Sequence, residues 1–166
     1  MEKRILLGSG CFWGVEEYFK RLNGVINTSV GYANGNFKNP TYEDLKKHIA
    51  THAEACEIIY DDEVISLEKL LEHMFRFIDP FAVNKQGGDV GIQYRTGVYY
   101  KTLEDKEVIL SFMHKKEKYY NRKLAVEVEE EREYYLAEEY HQDYLTKNPY
   151  GYCHVNMNLI KEDEKK

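Results

Sequence analysis

Cys11 is the residue around which chemistry could be built. It stands in Gly8-Ser9-Gly10-Cys11-Phe12-Trp13-Gly14, directly after the apolar run Ile5-Leu6-Leu7. Behind it Phe12, Val15, Phe19 and Leu22 fall on one face of a helical pattern. The thiol is therefore expected at a helix N-terminus, where unpaired N–H groups and the helix dipole favour an anion. A free thiol with a pKa of about 8.5 is only a few per cent thiolate at neutral pH, and helix N-termini are known places to lower that value. Gly8, Gly10 and Gly14 would leave the sulfur unscreened toward a reactant. The same pattern also suits an inert thiol, since free cysteines are among the most buried residue types. His48 and His52 have helical ligand spacing, and Glu138 with His141 resembles half a metal motif. Neither pair has partners at suitable spacing, so no metal site is expected.

The elements that must hold Cys11 can be read in order. Lys3 to Leu7 reads as a buried strand and the Cys11 helix runs to about Arg21. Asn23-Gly24 marks a turn into a second strand, Val25 to Tyr32. A loop over 33–42 leads to a short helix with Thr41 as N-cap. Ala53 to Tyr60 reads as the third strand, with Glu54, Cys56 and Ile58 on one face and Ala55 and Glu57 on the other. Ser66 caps a strong helix that Asp79-Pro80 ends, and a glycine-rich loop, Gln86 to Gly91, precedes a strand over Gln93 to Tyr100. Thr102 and Asp105 open another helix. Leu124, Val126 and Val128 alternate as a strand. A helical piece is expected over Leu136 to Leu145, a loop over Asn148 to Cys153, and a disordered charged tail over 161–166. Strand, helix, strand, strand, helix, strand is the order of a ferredoxin-like two-layer sandwich, α/β in content (α+β), here with extra helices and long loops.

The bulk numbers narrow the function classes. At 166 residues the chain is expected to be one catalytic domain with a sizeable core. Hydrophobic residues at 43% and charged ones at 31% are globular composition. A net charge of −6 argues against nucleic acid or an anionic membrane surface as partner. No signal-like or membrane-spanning apolar run is present. Three widely spaced cysteines do not make a disulfide framework and fit a cytoplasmic protein with one or two working thiols. The fifteen tyrosines suit a binding groove or a well-packed surface equally.

Taken together, the motifs resemble those of the A-type peptide methionine sulfoxide reductases. Gly10-Cys11-Phe12-Trp13-Gly14 is a specific family signature. Gly31-Tyr32, Asn39-Pro40-Thr41-Tyr42, His52-Ala53-Glu54-Ala55, the stretch from Gln86 to Arg95 and Asn148-Pro149-Tyr150-Gly151-Tyr152-Cys153 agree with it in order. The resemblance implies that the Cys11 thiolate attacks the sulfur of methionine S-sulfoxide, free or in oxidised proteins, and that Glu54 is the acid for its oxygen. It implies that Tyr42 and Tyr94 hydrogen-bond that oxygen, that Asp89 helps hold the substrate, and that Phe12 and Trp13 form an apolar cup for the S-methyl group. The products are methionine and a Cys11 sulfenic acid, which Cys153, matching the family's resolving cysteine, converts to a disulfide for thioredoxin to reduce. No bound cofactor is implied.

The chain departs from the family in three places. Cys56 stands where an aliphatic residue is usual and is expected to be a small buried hydrophobe, although it shares a strand face with Glu54. Thr51 replaces a usual glycine, and Ile78 a common histidine. Two rival readings differ in chemistry: a non-catalytic binder of oxidised methionine, which would need none of Cys11, Glu54 and Cys153, and a thiol peroxidase, which would prefer peroxide over sulfoxide.

Overall fold

The computed structural model describes residues 1–166. Strand β1 (Glu2–Gly8) is central to the sheet, antiparallel to β3 (Ala53–Asp61) on one side and to β6 (Gly97–Tyr100) on the other. Strand β2 (Val25–Ala33) pairs antiparallel with β3, and β7 (Glu127–Glu130) and β8 (Tyr134–Leu136) extend the sheet at its two edges. The order β7-β6-β1-β3-β2-β8 contains β6-β1-β3-β2, the arrangement of the expected ferredoxin-like sandwich. Helix α1 (Phe12–Lys20) links β1 to β2, and α3 (Leu67–Phe77) with a small hairpin, β4 (Lys85–Gln86) and β5 (Asp89–Val90), links β3 to β6. The short α2 (Tyr42–Lys46) interrupts the β2–β3 connection, and α4 (Leu103–Tyr120) leads to β7, which runs parallel to β6.

Local chemistry accounts for the helix starts. The Thr41, Ser66 and Thr102 hydroxyls accept from the backbone N–H groups of Asp44, Lys69 and Asp105, satisfying donors that a helix leaves open. Apolar residues of α1, α3 and α4 (Val15, Tyr18, Phe19, Leu70, Leu71, Met74, Ile109, Phe112) pack on one sheet face against Ile5, Leu7, Cys56, Ile58 and Val98. Leu6, Ala33, Ala53, Ala55 and Tyr99 fill the other. Strand alternation therefore turns Glu54 to the helix-covered face, level with the start of α1.

Four segments differ from the expectation, the first being the strand expected over Leu124, Val126 and Val128, which forms only over Glu127–Glu130, where it pairs with β6. The strand expected from Gln93 begins only at Gly97, because Ile92–Tyr94 winds into a 3-10 turn. The expected helix over Leu136 to Leu145 is instead the end of β8, a 3-10 turn at Glu139–His141 and the short α5 (Tyr144–Lys147). The open edge of β2 takes Tyr134–Leu136 as a partner, and the Gln142 amide then bonds both the N–H and the C=O of Val30. Asp143, at φ 53°, breaks any continuing helix.

The terminal segment 161–166 is ordered rather than a disordered tail. The Arg76 guanidinium donates twice to Glu164, at 2.7 and 2.8 Å, and Lys165 forms a bridge with Leu22. The bidentate pair holds the Glu164 carboxyl well below its ordinary value. Glu164→Gln is expected to lose about 1–2 kcal/mol of stability in chemical denaturation at pH 7. A carboxylate with a depressed folded-state pKa stabilises above its ordinary value, here 4.5, and that stabilisation fades as pH falls below it. The gap between variant and wild type should shrink accordingly.

Candidate active site

Cys11 is the N-cap of α1, with no side-chain cap bond, and is 7% exposed. The chain reaches it from β1 through the buried Ser9 and through Gly10 at φ 89°. The N–H of Phe12, one of the donors at this helix end, points at Glu54 Oε1, 3.2 Å away. Glu54 is 2% exposed, and burial pushes its carboxyl up to about 8, with the Phe12 N–H opposing and Asp89 adding to the shift. At neutral pH it is therefore mainly a neutral acid, one oxygen fixed by the backbone and the other free to carry a proton.

The Cys11 thiol corrects one expectation. Burial first, and then Glu54, push it well above its ordinary value, and the Trp13 N–H aimed at the sulfur offsets only part of this. The helix terminus does lower it, but desolvation dominates. The resting group is a protonated thiol.

Tyr42, Tyr94 and Asp89 converge on the same pair. Burial raises both tyrosine hydroxyls, Tyr42 to about 12, and Glu54, Cys11 and Asp89 each add to the shift at both. Both are therefore O–H donors at neutral pH. Tyr42 opens α2, its N–H donating to Glu138 Oε2 at 3.0 Å while the other Glu138 oxygen accepts from the Tyr32 hydroxyl at 2.7 Å. Tyr94 ends the 3-10 turn. Beside it the Arg95 guanidinium donates to the carbonyls of Thr51, Ile92 and Asn34, tying that turn to the approach of β3. Asp89 lies on the β4–β5 hairpin, which the buried Gln86 anchors through Asp79 and Thr96.

The aromatic side is built from Phe12 and Trp13. Phe12 is 1% exposed, between Tyr32 and a small cluster around Val30, Leu45 and Ala137. The Trp13 indole stacks on Tyr144 at 3.8 Å, and its N–H donates to His141 Nδ1 at 2.9 Å. Since Nδ1 accepts, the neutral ring carries its proton on Nε2. The His141 ring also lies 4.5 Å from the Tyr42 ring. Glu138 and His141 thus both brace the aromatic wall. Sequence reasoning had no reason to connect them to Trp13.

Cys153 arrives from the far end of the chain. Its thiol donates to the Val155 carbonyl at 3.2 Å, and it sits against Gly14, one turn along from Cys11. Tyr152 donates to Asp89 at 2.8 Å, so the same segment also touches the hairpin. A cavity of about 200 Å³ opens beside Cys153, lined by Glu17, Arg21, Leu145, Pro149, Val155 and Met157.

The family of this chain is shown by its likeness to known proteins. The family model described as peptide methionine sulfoxide reductase matches residues 3–166. The chain belongs to the peptide methionine sulfoxide reductase family. It is 52% identical over 155 residues to a peptide methionine sulfoxide reductase MsrA of Clostridium perfringens, covering 93% of this chain and 99% of that one. Mxr1 from Saccharomyces cerevisiae in reduced form superposes with a TM-score of 0.85 at 37% identity, covering 92% of this chain and 88% of that one. Mxr1 in complex with Trx2 superposes with a TM-score of 0.60 at 27% identity, covering 86% and 84%. The chain is a thiol-dependent oxidoreductase of methionine sulfoxide.

Within this reductase Cys56 is fully buried between Leu7 and Val30 of the neighbouring strands, in the main core. It behaves as the small hydrophobe the sequence suggested. Thr51 bonds Asn36 through its N–H and Arg95 through its carbonyl, and Ile78 caps α3 inside the main core. The raised Glu54 value has a direct consequence. Between its ordinary 4.5 and about 8 the folded protein holds a proton that the unfolded chain releases. Wild-type stability relative to Glu54→Gln, whose amide does not titrate, should therefore fall as pH rises from 5 to 8. Denaturation midpoints of both proteins across that range are the measurement.

Proposed function

We propose that residues 1–166 act as one cytoplasmic catalytic domain reducing the S epimer of methionine sulfoxide, free or in oxidised proteins. The observation that carries this reading is the buried Glu54 carboxyl, bonded by the Phe12 N–H at the start of the helix that Cys11 caps. A sulfoxide oxygen is a poor leaving group until it gains a proton. Glu54 supplies that proton, and the thiol proton of Cys11 replaces it on the carboxyl, so the buried site gains no net charge. The sulfur of Cys11 attacks the sulfoxide sulfur, the oxygen passes to Cys11, and methionine leaves. Cys11 is oxidised by two electrons to a sulfenic acid as the substrate sulfur is reduced by two. Tyr42 and Tyr94 donate to the oxygen as its charge changes. Phe12 and Trp13 receive the S-methyl group and, with Asp89, orient the pyramidal sulfur so that one epimer presents its oxygen to the donors.

Cys153 then attacks the sulfenic sulfur. An S–S bond forms, and the hydroxyl of Cys11 leaves as water with the Cys153 proton. Thioredoxin returns both thiols by exchange, a role supported by the structural likeness to a Mxr1–Trx2 complex.

Single-turnover methionine formation from each epimer, with reduced protein and no added reductant, tests the first half. Wild type should yield methionine from the S epimer only, Cys11→Ser none, and Glu54→Gln methionine at a rate lower by about 10²–10⁴-fold. Methionine from Cys11→Ser would overturn the assignment. For the second half, Cys153→Ser is expected to complete one turnover and then stall with thioredoxin. Full-rate cycling in that variant would remove Cys153 from the scheme.

A further inference from the structure

Gly10 and Gly14, on either side of Cys11, do not open free space, because the terminal segment lies over both. A Cβ on Gly14 would lie 2.9 Å from Cys153 Sγ and 3.1 Å from Val155 Cγ2. A Cβ on Gly10 would lie 2.9 Å from His154 Nε2 and 2.8 Å from Gln86 Cβ. The 2.9 Å distances to Cys153 and His154 are shorter than real Cβ contacts show, the 3.1 Å distance to Val155 is tighter than most, and three consecutive residues make them.

Conformation explains Gly10 in part, since its φ of 89° favours glycine by itself. It does not explain Gly14. That residue lies inside α1 in ordinary helical backbone, where alanine is the better helix former. Space for the terminal segment is the remaining reason. The segment is held in place by bonds of its own. His154 Nε2–H donates to the Ser9 carbonyl at 2.9 Å, Val155 N–H donates to Cys153 Sγ at 3.4 Å, and Val155 is buried in the main core.

We propose that Gly10 and Gly14 are positioning residues for the second thiol: they form an open seat on the first turn of α1 in which Cys153–Val155 docks, holding Cys153 beside Cys11 before any oxidation has occurred. The inference rests on Cys11 as attacking and Cys153 as resolving thiol. An N-cap residue and the residue three further on are neighbours on a helix surface. A thiol seated on Gly14 therefore needs only a short movement to reach the Cys11 sulfur. The sulfenic acid is then consumed before a second oxidant or another thiol meets it. Docking leaves Cys153 accessible, as reduction by an external protein requires.

The test is Gly14→Ala, with wild type alongside. Each reduced protein is mixed with one equivalent of methionine S-sulfoxide without reductant and quenched at intervals. Methionine is quantified by chromatography, sulfenic acid as its dimedone adduct, and the Cys11–Cys153 disulfide by mass. The variant should form methionine within about twofold of the wild-type rate but close the disulfide at least about tenfold more slowly, with sulfenic acid accumulating. In the substrate-free reduced protein, iodoacetamide should alkylate Cys153 faster than in wild type, a readout that needs no catalysis. Disulfide closure and alkylation both at wild-type rates in folded Gly14→Ala would overturn the proposal. Should that variant not fold, Val155→Ala carries the same two readouts, because it removes the side chain that beds the segment against Gly14. Wild type that makes methionine without the disulfide would instead overturn the assignment of Cys153 on which the inference rests.

Discussion

A carboxyl group is buried at the start of a helix whose N-terminal N–H groups would ordinarily stabilise its charged form. Only one of those groups, from Phe12, reaches Glu54, and the loss of solvent outweighs it. The consequence is a carboxyl that holds its proton at neutral pH, which is what the proposed protonation of a sulfoxide oxygen requires. The same desolvation keeps the adjacent thiol protonated. A site tuned for both partners in their neutral forms avoids an unpaired buried charge at rest and places the charge separation in the reaction itself.

The sheet makes this burial possible. β1 and β3 are covered on both faces, so alternation along β3 places Glu54 and Cys56 on the helix side, two residues apart, in different surroundings. Cys56 meets only core. Glu54 meets the chain end of α1, because β1 stops at Gly8, where any side chain would press on the carbonyls of Arg95 and Glu54. The aromatic wall is held from a third direction. Glu138 fixes Tyr32 and the start of α2, and His141 fixes Trp13, both from a turn that follows the edge strand β8. Tyrosines and a histidine that look unremarkable in sequence thus form one connected support.

Much of the framework was legible from local pattern. The capped starts at Thr41, Ser66 and Thr102 and the strand alternation in Ala53–Tyr60 follow from short-range rules, and the structure has them within a residue or two. The order of elements was enough for the inner four strands. Where local pattern failed, a long-range partner was responsible. The apolar and tyrosine-rich run near Leu136 reads as helix until the open edge of β2 claims it. The charged end reads as solvated until Arg76 pairs with Glu164 across the fold.

The sequence by itself nominated Cys11, Glu54 and Cys153 as the proposed reacting groups, because a cysteine after a glycine turn and the motifs that carry the family resemblance are local and written in residue order. It also determined the helix and strand that carry Cys11 and Glu54, through periodicity and capping. Tertiary structure alone decided the protonation states, since desolvation depends on what the rest of the chain places around a group. It alone showed that Gly14 makes room for Cys153, two residues nearly the whole length of the chain apart, whose contact no spacing rule connects.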